Sequence, residues 1–170
     1  METFQLSEKL LKKIADLISA KKNTPLKKIV KDTHFADMAE IINELNEQQG
    51  IYLIKLFDSE KTSEILTELD EDVREKILKA LSVKEIADEI EELDSDDAAD
   101  ILGELSDERK EEVISEISDD NLADDLKELL SYEEDSAGGL MAKELVQANE
   151  NWSVTKCLKE IKKQGENVTR

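Results

Sequence analysis

Cysteine occurs once in this 170-residue chain, at position 157, so no disulfide can form within it. That scarcity suits a reducing cytoplasm. Apolar runs are short as well. No stretch of about 18 apolar residues exists, so nothing in the sequence reads as a membrane span. The first twenty residues mix charges through an amphipathic pattern and lack the apolar region of a signal peptide. Histidine also occurs once. His34 has no Cys/His cluster around it in the sequence and reads as a helix-start or surface residue. There is no phosphate loop, no Ser/His/Asp set and no CxxC pair, so an enzyme is not expected. Basic residues are scarce where it matters most. Residues 58–140 hold 8 Lys/Arg against 31 Asp/Glu, whereas residues 1–57 hold 9 against 8 and residues 141–170 hold 6 against 4. Phosphate repulsion excludes nucleic acid as a partner of the middle segment. Many of its acids follow helix caps, where they complement the helix dipole. Setting aside ten such residues still leaves 21 acids against 8 bases.

A phrase recurs along the chain: small residue, acid, any, Ile or Leu, any, Glu or a near-equivalent, Leu. Copies begin at Ala39, Ser63, Ala87, Ala99 and Ala123, with starts 24, 24, 12 and 24 residues apart, and weaker copies fill the missing slots. A period in this range denotes stacked supersecondary units, each too small to bury its own apolar face. Apolar residues at three- and four-residue spacing, such as Ile86, Ile90 and Leu93, line one face of an α-helix. Helix formers dominate. Ser59, Asp70, Ser82, Asp94 or Ser95, Ser106 and Ser118 stand where N-caps are expected, and Ser82 with Glu85 forms a capping box. Thr24 before Pro25 reads as a cap followed by proline at the first helical position. Helices of roughly 8–10 residues remain, too short to be stable alone in water.

The sequence predicts a first helix over residues 4–20, a short second helix over 25–33, and the repeat array over 35–130. Gly138 and Gly139 then break the helix. Leu145 and Val146 read as a short strand, and residues 153–163 as one more amphipathic helix capped by Ser153. Cys157 lies on its apolar side, and Trp152 is a packing anchor. The acidic stretch from Asp94 to Leu105 is not an EF-hand, because Ala99 replaces the glycine and Leu105 the glutamate that such a loop requires.

At the junction the sequence resembles the MgtE family of magnesium transporters. Residues 132–141, Tyr-Glu-Glu-Asp-Ser-Ala-Gly-Gly-Leu-Met, are similar to that family's link between its N-terminal domain and its first CBS domain. Val146, Trp152-Ser153-Val154 and residues 158–161 look like the opening of a CBS domain. Ser95-Asp96-Asp97-Ala98-Ala99-Asp100 resembles the family's N-domain. The resemblance covers residue 35 to the end. It implies an all-α fold, a right-handed superhelical solenoid of about ten short helices, followed by a partial CBS-like segment. The implied division is 1–131 for the superhelix, 132–143 for a linker and 144–170 for an incomplete CBS start.

The resemblance further implies a cytoplasmic Mg²⁺-sensing domain whose parent transporter sits in the cell membrane. The metal ligands it carries over are Glu64, Asp96, Asp100 and the backbone carbonyl of Gly139. Asp96 and Asp100 are spaced i, i+4, which puts both on one helical face. The implied cofactor is Mg²⁺, held weakly by this chain alone and replaceable by other divalent cations. The implied partners are CBS domains of the same transporter or of a partner subunit, with homodimerisation through the parent protein and no membrane insertion by this chain. The competing reading is a helical-repeat interaction scaffold like the flagellar motor protein FliG, with no specific ion site. On either reading Leu45, Leu69, Leu93, Leu105 and Leu129 are expected to be buried, and residues 142–170 to be poorly packed.

Overall fold

A computed structural model describes residues 6–31, 33–133 and 136–165. Eleven helices form among these residues, and no strand does. They are α1 (Glu8–Ser19), α2 (Asn23–Val30), α3 (Phe35–Asn43), α4 (Glu47–Ile54), α5 (Ser59–Glu68), α6 (Glu71–Ala80), α7 (Val83–Ile90), α8 (Ser95–Gly103), α9 (Asp107–Glu116), α10 (Asp120–Leu129) and α11 (Val154–Gly165). From α3 to α9 a helix starts every 12 residues, and α10 follows after 13. The repeat of the sequence is thus a repeat of helix starts, with two helices in each 24-residue unit.

Local chemistry explains the punctuation. Asn46, Asp58, Ser82 and Asp119 cap α4, α5, α7 and α10 with their own side chains, and the Ser82–Glu85 capping box forms. Each cap supplies an acceptor to a backbone N–H that has no partner inside the helix. The α5 cap is Asp58 and the α10 cap Asp119, one residue from the expected serine in each case. At α2 the helix already begins at Asn23, which places Thr24 and Pro25 inside its first turn. Proline is tolerated there because those N–H groups lack helical partners anyway.

Stacking follows from the phrase itself. The small residues Ala39, Ser63, Ala87, Ala99 and Ala123 are all buried, which lets neighbouring helices approach closely. The acids that follow them, Glu40, Glu64, Asp88, Asp100 and Asp124, are all exposed. Ile42, Leu66, Ile90, Leu102 and Leu126 fill the core. Of the five repeat leucines, Leu69 and Leu129 are buried, while Leu45, Leu93 and Leu105 are half-buried against the core. Those three sit in the turns just past their helices, where each N–H bonds back to the residue three before it and one flank faces solvent.

Each helix leans chiefly on the one two places away. The odd row runs α3–α5–α7–α9 without a break. The even row packs α4 on α6 and α8 on α10, with sparser contact across the step from α6 to α8. Basic side chains cross that step. Arg74 of α6 reaches the Glu104 carboxylate at the end of α8, with Nε at 2.9 and 3.1 Å from its two oxygens. Arg109 of α9 donates to the carbonyls of Leu78, at 3.1 Å, and Leu81 at the end of α6. Lys61 does the same for the end of α2, reaching the carbonyl of Thr33 at 2.7 Å. Cations at helix C-termini satisfy carbonyls left over there and oppose the dipole.

Beyond α10 a turn spans residues 136–141, and Gly138 lies under the ring of Tyr132. A Cβ at Gly138 would stand 2.5–2.9 Å from ring atoms, so the contact requires glycine. Residues 145 and 146 are irregular, in contrast to the expected strand. A strand needs a neighbour to take its backbone hydrogen bonds, and no other strand lies among the described residues. Ser153 does cap α11, accepting from the Lys156 N–H at 3.3 Å. That helix has no buried residue, and Cys157 and Trp152 are half-buried. The expectation of a loosely packed tail holds for α11 but not for residues 143 and 144, which are held to the array.

Candidate metal site

The acidic face centres on α8. Asp96 and Asp97 lie in its first turn and Asp100 one turn on. Burial raises the carboxyl pKa of Asp97, and the charges of Asp96, Asp100, Asp94 and Glu68 raise it further. Asp100 reaches solvent, but partial desolvation by its neighbours still raises its carboxyl pKa; Asp96 and Glu104 add to the shift and the Arg74 guanidinium opposes it. For Asp97 and Asp100, desolvation first and neighbouring like charges second thus disfavour ionisation.

The four residues carried over from the resemblance divide between two places. Asp100 and Gly139 line one cavity of about 460 Å³, together with Arg74, Glu104, Glu71 and Lys110. Glu64 lines a second groove of about 640 Å³ with five further acids, Glu60, Glu68, Glu92, Asp94 and Asp97, and no basic side chain. Asp96 lines neither, yet its charge acts on both Asp97 and Asp100. The turn that brings Gly139 to Asp100 is fixed locally: Gly139 N–H donates to Ser136 Oγ at 3.1 Å, and Leu140 N–H to the Ser136 carbonyl at 3.1 Å.

Sequence reasoning missed three contributors here. Asp97 reads as a plain cap-flanking acid, and only the fold turns it toward the Glu64 groove. Arg74 and Glu104 are 30 residues apart, and pairing them takes the stacking register. A base amid an acid-rich array was the available signal for Arg74.

The donor chemistry suits a hard divalent cation. Carboxylate and carbonyl oxygens are what Mg²⁺ prefers, and it commonly keeps several waters. Among the described residues no group of three or more His, Cys, Asp or Glu side chains converges closely enough to hold a metal by itself. Asp100 and Gly139 thus fit as part of a coordination shell completed by water or by groups of another body. Arg74 and Lys110 in the same cavity offset part of its negative charge.

Residues 33–135 match the family model of the MgtE intracellular N domain. The chain belongs to that family. The match covers more than half of the sequence and includes the whole repeat array from α3 to α10. The MgtE N-domain fold is also seen in solved structures. The chain is similar to the soluble part of a magnesium transporter, at 21% identity over 96% of this chain and 64% of that one, with a TM-score of 0.75. It is similar to the cytosolic domain of the Mg²⁺ channel MgtE in complex with ATP, at 23% identity over 94% of this chain and 65% of that one, with a TM-score of 0.82. The chain spans just under two thirds of the length of either structure. No curated protein sequence matches it. No helix of the described residues is long and apolar enough to cross a membrane.

Proposed function

We propose that this chain is the Mg²⁺-sensing regulatory domain of a magnesium transporter, on the cytoplasmic side of the membrane that holds the pore. Its acidic face holds Mg²⁺ jointly with CBS domains of the same transporter or of a partner subunit, and so favours the closed state. The observation that supports this reading is that Asp100 and Gly139 line one cavity. Desolvation and neighbouring like charges raise the carboxyl pKa values of Asp97 and Asp100 on the same helix.

The chain's own residues supply three things. Helix α8 holds Asp96, Asp97 and Asp100 at fixed spacing, so their repulsion is built in and is not relieved by local motion. The 136–141 turn brings Gly139 to the lining of the cavity that Asp100 also lines. Arg74 and Lys110 temper the field, which suits a sensor of an abundant cation better than a scavenger. A bound divalent ion supplies positive charge that offsets the carboxylates of both bodies. A ligand favoured by one of two states shifts the balance toward that state. The family match, falling on both the array and its acidic helix, supports this reading over the FliG-like scaffold.

The test is thermal unfolding in MgCl₂ and in NaCl of matched ionic strength. General screening depends on ionic strength alone and is equal in the two salts. Millimolar Mg²⁺ raises Tm beyond NaCl by a small increment, because this chain holds only part of the shell. Asp96→Asn with Asp100→Asn removes most of that increment and leaves the helical circular dichroism intact. Equal stabilisation by the two salts refutes ion binding by this chain, and an increment surviving the double substitution moves the site elsewhere.

A further inference from the structure

Ser95 opens α8 in the middle of the acidic face, yet it is fully buried. Its polar atoms are met by residues 48 and 49 places further along the chain. The Lys143 N–H donates to Ser95 Oγ at 2.8 Å. Ser95 N–H donates to Glu144 Oε1 at 3.0 Å, and Ser95 Oγ donates to Glu144 Oε2 at 2.9 Å. The Lys143 ammonium pairs with Glu128 of α10 at 2.8 Å. Helices α4, α5, α7 and α10 of the array take a side-chain cap from the residue immediately before them, while α6 and α9 have none. At α8 the first N–H is instead taken by a carboxylate from beyond the array. A carboxylate accepting from an N–H and a hydroxyl at a helix N-terminus makes charge-assisted bonds, roughly twice as strong as neutral ones. The attachment is narrow. One residue later Leu145 is 65% exposed, and α11 buries no side chain.

We propose that Lys143 and Glu144 form a latch that docks the segment following the helical array onto the first turn of α8 and onto α10, so that detaching this segment uncaps α8. The coupling is reciprocal: tightening the first turn of α8 tightens the dock, and pulling the segment away frays the turn that carries Asp96 and Asp97. The latch needs no bound divalent ion, and it stands or falls separately from the sensing function above.

The test is residue-resolved amide hydrogen exchange on the whole chain, in NaCl with chelator and no divalent cation. Core amides of α3 and α5 report that each variant is folded. In Glu144→Ala the amides of Ser95 to Asp97 and those of residues 141–146 exchange about tenfold faster, together, as loss of hydrogen bonds to a charged group implies. Ser95→Ala, which changes only one small buried side chain, accelerates the same two segments. The double variant is no faster than Glu144→Ala, because both substitutions open one latch. Acceleration at α8 alone, with residues 141–146 unchanged, makes Glu144 a cap and overturns the latch. Unchanged exchange in both segments, or additive effects of the two substitutions, overturns it equally.

Discussion

Glu89 occupies a position built for isoleucine. In the copies beginning at Ala39, Ser63 and Ala99 the third place holds Ile41, Ile65 and Ile101, all of them buried. In the copy on α7 the same place holds Glu89, which is 9% exposed and whose Oε2 has no hydrogen-bond partner. Burial, and then the charges of Asp88, Glu85, Asp58 and Glu92, push its pKa from 4.5 to about 8. The folded state therefore holds the proton more tightly than the unfolded chain does. This contribution to stability is fully present below about pH 4.5 and is lost as pH rises through about 8. At 1.36 kcal/mol per pKa unit the full loss has a ceiling of about 5 kcal/mol. Glu89→Gln copies the protonated form and removes the titration. Urea unfolding of the two proteins between pH 5 and pH 9 measures the difference directly, since the other carboxylates titrate in both. The variant matches the wild type near pH 5 and exceeds it by about 2–5 kcal/mol at pH 9. Glu89→Ile, which restores the residue of three of the other four copies (the copy at Ala123 has Asp125), exceeds the wild type over the whole range. Parallel stability curves for wild type and Glu89→Gln would refute the reasoning, because they require a charged, solvated Glu89 in the folded protein.

Leu66→Ala, at a side chain 1% exposed in the middle of the array, costs about 2–5 kcal/mol in urea unfolding. Arg74→Met leaves Glu104 and the carbonyls at the end of α5 without their partner, and it costs about 3 kcal/mol by the same assay. A loss below a few tenths of that shows that water replaces the guanidinium. Gly138→Ala forces the Tyr132 ring away and costs about 1 kcal/mol. In a Tyr132→Ala background the same substitution is nearly neutral, and a full loss there refutes the ring contact as the reason for glycine.

The array was legible because its period is carried by three kinds of position at once. Small residues recur where helices touch, acids where solvent lies, and branched aliphatics where the core is. Each is a local property, so counting along the chain recovers it. The caps at Ser82 and Ser153 were legible for the same reason, since a cap reaches only two or three residues. What escaped depends on distance in sequence. The ties made by Lys61, Arg74 and Arg109 to Thr33, Glu104 and Leu81 span 28, 30 and 28 residues, more than one 24-residue unit, and are fixed by the stacking register. Glu89 escaped although its signal was present. Reading the third place of the phrase as indifferent hid an acid standing in an isoleucine slot. The candidate site was legible in part. Asp100 and Gly139 share a cavity, but Glu64, three helices earlier on α5, faces a different groove. A superhelix rotates each repeat relative to the last, so equivalent positions need not share a hollow. The segment at Leu145 and Val146 had the side chains of a strand without a strand beside it, and side chains alone cannot satisfy a backbone.

The interrupted even row gives the superhelix a preferred place to bend. Between α6 and α8 the packing is sparse, and continuity there passes through α7 in the odd row and through the side chains of Arg74 and Arg109. A rod thinly bonded in one row at mid-length is stiffer toward its continuous side than toward the other. Guanidinium groups bonded to carbonyls and a carboxylate can pivot while keeping their partners, as a greasy contact cannot without opening a void. Arg74, one of those groups, also lines the cavity of Asp100, so the cavity stands beside the most thinly packed step of the array.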